Sequence, residues 1–287
     1  MPSDCSPLLP PELEREIFEI ASVFHPDTIP NLLLVSHRVY EWIEKIKYRT
    51  VTPGDHFTAM CTVPSLQRAI RSNSKLGSFF RDYIQHLFVK NLNNDELEEI
   101  FSACSGTRSL VLFQGIKRIE QIPSIGATRP RRLSLYVNDL LDTKNPPRLP
   151  LPPMFTFVTH LDLFDQRHHN HTIGHLVGLP ALTHLALWEN SMDTAERTDV
   201  LTRCRGLETL IEMHGILSDW DPERLPSIAD VRFMAMVISD EDYLEDWVFG
   251  TKGGLDFWAR ADIFIAKKRR GEIKPESRCW IEEGDGI

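Results

Sequence analysis

The chain has 287 residues, of which 42% are hydrophobic and 25% charged, with a formal net charge of −9. That composition is ordinary for a folded globular chain, and the acidic balance argues against general affinity for nucleic acid. No apolar run reaches the length that spans a bilayer, and no basic segment followed by an apolar one marks the N-terminus as a signal peptide. Five cysteines, Cys5, Cys61, Cys104, Cys204 and Cys279, lie far apart. Odd in number and scattered, they predict reduced thiols in the cytosol or nucleus.

The first predicted element is "LLPPELEREIFEIAS" at 8–22, a short helix whose apolar face is marked by Leu13, Ile17, Ile20 and Ala21. Pro10 or Pro11 can start it with φ already set, but a helix this short is marginal alone in water. "HPDTIP" follows as a loop, broken by Pro26 and Pro30, and "NLLLVS" as a short apolar turn or helix. Ser36 is then a fitting N-cap for a helix with Val39, Trp42, Ile43 and Ile46 at i, i+3, i+4 and i+7. Residues 7–51 therefore read as a small helical module, near the lower size limit for independent stability. Residues 52–80 read as a helical linker, with Leu66 and Ile70 marking its pattern.

From there the chain has a period. An L-x-L core recurs at Leu87 (with Val89), Leu110 and Leu112, Leu133 and Leu135, Leu161 and Leu163, and Leu185 and Leu187. It half-survives at Leu210 and returns as Val231 and Phe233, at intervals of 23, 23, 28, 24, 25 and 21 residues. These intervals fall in the range of leucine-rich repeats. The clearest copy, "LPALTHLALWEN", has Leu182, Leu185, Leu187 and Asn190 in an L-x-x-L-x-L-x-x-N order. "NDELEEIFSACSG" and "MDTAERTDVLTRCRG" supply helical halves. Residues 81–240 thus resemble a degenerate leucine-rich-repeat solenoid, with an ordinary α/β domain of similarly spaced strands as the alternative. The resemblance implies one mainly parallel sheet, helices on its outer side, and the leucines stacked in one column. Residues 241–287 hold an aromatic-rich helix, with Phe257, Trp258, Ala261, Ile263, Phe264 and Ile265, expected to close the open end of the repeats. The expected fold class is α/β, a solenoid preceded by the helical module and closed by this C-terminal helix.

"LPPELEREIF" followed by "IPNLLLVSHRVYEWI" resembles the F-box in its divergent fungal, basidiomycete-type form. The positions that carry the resemblance are Leu9, Pro10, Glu12, Leu13, Ile17 and Phe18, then Leu34, Val35, Ser36, Arg38 and Trp42. The sequence departs from the pattern in its longer loop "ASVFHPDTIPN" and in its ending "IEKIKYRTV". The resemblance implies a substrate-recognition adaptor of a Skp–cullin–F-box ubiquitin ligase, cytoplasmic or nuclear. Leu9, Pro10, Glu12, Leu13, Ile17, Phe18, Leu34, Val35 and Trp42 would meet the Skp-type adaptor of the cullin–RING ligase, and the repeats would hold a target protein. Repeat geometry points to Asp165, Trp188 and Glu189, just beyond the strands, as target contacts. The alternative is a repeat scaffold without a ligase role, whose first helices serve only as a cap.

Catalytic signals are weak. "QRHHNHTIGHL" gathers His168, His169, His171 and His175, but it lacks cysteines and the Glu spacing of a metalloprotease. "FGTKGG" at 249–254 lacks the residue order of a phosphate loop and reads as a turn. Cys104 and Cys204 end helical halves and read as buried apolar residues. "KKRRG" at 267–271 suits a helix C-terminus as well as a nuclear import signal. The expectation is a binding protein and not an enzyme, with no cofactor or metal, and with neither nucleic acid nor membrane as a partner.

Overall fold

A computed structural model describes residues 9–54, 60–73, 75, 77–114, 122–141, 144–146, 151–167, 171–215, 220–222, 225 and 228–287. Three helices come first: α1 (Pro11–Phe24), α2 (Ile29–Leu32) and α3 (His37–Arg49). Strands β1 (Thr50–Thr52) and β2 (Cys61–Thr62) and helices α4 (Val63–Arg71) and α5 (Phe79–Tyr83) lead into the repeated region. That region alternates β3 (His86–Val89), α6 (Asn94–Ala103), β4 (Ser109–Leu112), β5 (Arg132–Leu135), α7 (Val137–Leu140), β6 (His160–Leu163), α8 (Thr172–Val177), β7 (His184–Trp188), α9 (Thr194–Arg203), β8 (Thr209–His214) and β9 (Phe233–Val237). Helices α10 (Asp240–Thr251) and α11 (Phe257–Arg269) follow. The protein is α/β: among the described residues, nine strands form one parallel sheet in the order β2-β1-β3-β4-β5-β6-β7-β8-β9.

Local chemistry recurs with the strands. Asn93 and Asp193 each accept the N–H three residues on, and Glu96 and Glu196 reach back, so α6 and α9 start with the same capping box. Asn91 and Asn190, two residues past β3 and β7, both adopt positive φ (58° and 60°), a region Asn tolerates better than most residues. Both helices end on a cysteine, Cys104 and Cys204, whose N–H groups bond to the carbonyls of Ile100 and Val200. Between strands, the carbonyls of Gln85, Arg108, Arg131, Thr159 and Thr183 each accept two successive N–H groups from the next strand. One entry geometry is thus repeated along the sheet.

The register lines up Leu87, Leu110, Leu133, Leu161, Leu185, Leu210 and Phe233 in one continuous ladder. All seven are buried in the first strand face, each stabilising by roughly 1.5–3 kcal/mol relative to exposure. Phe233, not Val231, holds the first-leucine position of the last strand. Val231 lies just outside β9 and is exposed.

The other strand face is also buried, as parallel strands commonly are. It begins with a polar row, His86, Ser109, Arg132, His160, His184 and Thr209, paired strand to strand. Beyond it lie Phe88, Val111, Ala186, Ile211 and Met234. Helices α10 and α11 cover this face, corrected from the terminal position expected for the C-terminal helix. Tyr243, Trp247, Phe257, Trp258, Ala261 and Phe264 form one cluster with the apolar strand residues. The polar row reads the helices: Trp247 Nε1 donates to Ser109 Oγ at 3.2 Å, Arg132 pairs with Asp256 at 2.7 Å, and His184 Nε2 lies 2.9 Å from Asp262. The free edge of β9 is met instead by the tail, where the Ala235 N–H donates to the Cys279 carbonyl at 2.6 Å and Ala235 bridges Trp280. Covering an edge strand in this way blunts its tendency to pair with other chains.

The segment 52–80 is not only a helical linker. It supplies β2 and the end of β1, and Val63 and Leu66 of α4 and Phe80 of α5 join the first-face core.

Buried ionisable groups make stability depend on pH. Asp162 is fully buried beneath α10, with Oδ2 2.6 Å from Tyr243 Oη, and Ser134 Oγ lies 3.0 Å from the same hydroxyl. Loss of hydration pushes the Asp162 carboxyl up to about 7, against a smaller opposing effect of the Tyr243 and Ser134 hydrogen bonds. Its folded pKa is raised, so its contribution is full below about pH 4, falls as pH rises, and is gone above about pH 7. Burial also pushes His86 down to about 4 and His160 to about 3. Their folded pKa values are depressed, so their contribution is full above about pH 6.5 and is lost as pH falls through about 4 and 3. Urea titrations should find that Asp162→Asn gains stability relative to the native chain as pH rises from 4 to 7. Parallel curves for the two proteins would place the Asp162 carboxyl in water.

Candidate docking surface

The N-terminal helices build a small cluster around Ile29, Val39 and Ile43, with Phe18, Leu32, Leu33, Trp42 and Ile46 half-buried against it. Pro11 opens α1, and Glu12 and Glu14 lie in its first turn, where the helix dipole favours negative charge. Ser36 Oγ accepts the Val39 N–H and starts α3, the N-cap expected for this helix. Arg38 pairs with Glu14 at 2.6 Å and ties α1 to the head of α3. Phe18 takes the inward side of α1. Leu13, Ile17, Ile20 and Phe24, at i, i+4, i+7 and i+11, form a stripe on the outward side. Ile17 is 53% exposed and Phe24 73%.

Leu9, Leu34 and Val35 extend the exposed apolar surface, Leu34 with 84% of its area open. Among the described residues, eight of the thirteen exposed large hydrophobic side chains fall between Leu9 and Tyr40. Apolar exposure is therefore concentrated on one small part of the fold, a pattern that marks interaction sites. Of the residues expected at an adaptor interface, Leu9, Pro10, Glu12, Leu13, Ile17, Leu34 and Val35 are exposed. Phe18 and Trp42 pack inward and hold the helices in place. Ile20 belongs to the same outward stripe, and Phe24 joins it because α1 runs two residues beyond the stretch 8–22. Beside the stripe, Ile20, Val23, Phe24, Ile46, Met60 and Val248 line a groove of about 370 Å³.

The expected target contacts have separate fates. Asp165 is buried, and its two carboxylate oxygens accept the N–H groups of Val137 (2.6 Å) and Asn138 (3.1 Å). It starts α7 and is corrected from a surface contact to an internal cap. Trp188, the last residue of β7, is half-buried, and Glu189 accepts a 3.0 Å contact from His214 Nδ1. Both line a pocket of about 510 Å³ with Phe113, Tyr136 and Phe164, which follow the ends of β4, β5 and β6.

Several other residues singled out for their chemistry make structural contacts where they are described. His168 and His169 lie outside the described residues. His175 is buried, with Nε2 3.3 Å from the Asn145 carbonyl, and no group of three or more metal-ligating side chains occurs among the described residues. Burial pushes the thiols of Cys61 and Cys204 up to about 12 and 11, and that of Cys104 higher still, which disfavours nucleophilic thiolate. The basic run ends α11: Lys267 donates to the Asp285 carbonyl, Arg269 to the Glu208 carbonyl at 3.1 Å, and Arg270 pairs with Glu272. "FGTKGG" spans the last three residues of α10 and the turn that follows it, with Gly253 at φ +85°. No helix among the described residues is long and apolar enough to cross a membrane. No protein-family model, curated protein sequence or solved structure matches the chain.

Proposed function

We propose that the chain is the substrate-recognition adaptor of a Skp–cullin–F-box type ubiquitin ligase. Its first three helices form an F-box-like module that binds a Skp-type adaptor, and its sheet-bearing part is a degenerate leucine-rich-repeat array that binds the target protein. The observation that carries the reading is the outward stripe Leu13, Ile17, Ile20 and Phe24, extended by Leu9, Leu34 and Val35. Each large apolar side chain left in water forgoes roughly 1.5–3 kcal/mol relative to burial, so a partner that covers several of them gains a large driving force. The seven-residue ladder from Leu87 to Phe233 supports the repeat reading. In this account the protein is a binding module without chemistry of its own.

A second reading, a repeat scaffold without a ligase role, draws support from α3. That helix runs straight into β1, and its Tyr48 packs edge-on against Phe79 and Phe80 at 5.4 and 5.6 Å, as an N-terminal cap would. Co-expression with a Skp-type adaptor separates the two. The first reading predicts a stable one-to-one complex on gel filtration. Two separate peaks at micromolar concentrations would leave the scaffold.

A further inference from the structure

The leucine ladder has a second row, in which Leu112, Leu135, Leu163 and Leu187 follow one another toward β8. The next residue in register is Glu212, paired with Leu187. A carboxylate thus replaces a leucine at a position only 4% exposed. Glu212 Oε1 lies 3.0 Å from the guanidinium of Arg197 and 3.4 Å from His214 Nε2. Among the described residues, Glu212 Oε2 and Arg197 Nε have no hydrogen-bond partner. A buried ion pair is weak evidence for stability compared with an apolar pair of the same volume, and unmet buried polar atoms call for an explanation.

Both residues line a pocket of about 600 Å³ on the α9 side of the strand ends. It shares Glu189 and Asn190 with the aromatic pocket on the α10 side, so the two form one groove around the carboxyl ends of β4–β8. Carboxylates predominate in the α9-side half: Glu189, Asp193, Glu212 and Asp221 stand against one arginine and one histidine. The other half offers Phe113, Tyr136, Phe164 and Trp188, with Arg167 as its one cation among the described residues. With α10 and α11 covering the second strand face, that face is closed to a target, whereas the rim at the strand ends is open.

We infer that the groove binds an extended peptide segment of the target in which a lysine or arginine lies close to an aromatic or leucine side chain. The basic head sits at the half-exposed Glu189, with the buried carboxylate of Glu212 behind it, and the apolar neighbour lies among the rings beside Trp188. The inference rests on the reading that the sheet-bearing part binds a target, and not on the ligase link. Charge complementarity at such a surface sets partner choice more than raw affinity.

The test uses the full chain and pools of fluorescent random peptides, each pool with a central Lys, Arg, Glu or phosphoserine. The Lys and Arg pools should be retained, with aromatic residues and leucine enriched nearby, and Glu189→Lys should weaken binding of the selected peptides about tenfold or more. Glu189→Gln, which preserves the shape next to His214, should weaken it less. Ile17→Asp should leave it unchanged. Retention of the Glu or phosphoserine pools through Arg167 and Arg197, equal retention of all pools, or full binding by Glu189→Lys would overturn the inference. Peptide selection that fails while the adaptor complex forms removes this site alone. Selection that succeeds without adaptor binding removes the ligase link alone.

Discussion

Trp258→Ala is expected to destabilise the whole chain by about 3–5 kcal/mol. The indole is 4% exposed at the start of α11. It packs edge-on against His160 at 5.1 Å and His184 at 6.0 Å, and beside Phe257 at 4.6 Å. Removing it opens a cavity between two strands and the helix that covers them, and unpacks the stacked pair His160–His184, whose rings are 4.1 Å apart. Urea unfolding followed by circular dichroism measures the loss. An unchanged midpoint would mean that α11 is a loosely attached tail.

Leu161→Ala should cost about 2.7–5 kcal/mol. Leu161 sits in the middle of the ladder, 1% exposed, with Leu133 and Leu185 directly beside it in register. Neighbouring leucines are held by backbone hydrogen bonds on both sides, so they cannot collapse fully into the gap. Leu13→Ala should change stability by less than about 0.5 kcal/mol, since Leu13 is exposed on α1. The same chemical change then separates a core leucine from an exposed one. Equal losses at both positions would place α1 inside the core and remove it as a free surface.

The ladder was legible because period-2 alternation and a near-constant interval together fix which residue of each strand faces inward. The last copy was misplaced because Val231 and Phe233 share parity, and only hydrogen-bond register separates them. Strands β1 and β2, three and two residues long, are too short to show any period. The role of α10 and α11 was hidden for a related reason. Apolar residues such as Phe88, Val111, Ile211 and Met234 alternate with the leucines, so each strand reads as a plain hydrophobic run, and what covers its second face does not show in the run. Of the candidate site, the apolar face of α1 was legible from the spacing of Leu13, Ile17 and Ile20. Phe18 and Trp42 carry the F-box resemblance but pack inward, because α1 and α3 bury one side of each other. Asp165 was misassigned because capping depends on where the backbone of 137–138 turns, which residue spacing along the strands does not encode.

The most direct test is calorimetric titration of a Skp-type adaptor into the native chain and into Ile17→Asp, with thermal unfolding of both. Burying an unpaired carboxylate in an interface costs several kcal/mol, so the account predicts a loss of more than about a hundredfold in affinity at an unchanged melting temperature. Native affinity in Ile17→Asp would contradict it, as would a collapse of the fold together with the binding.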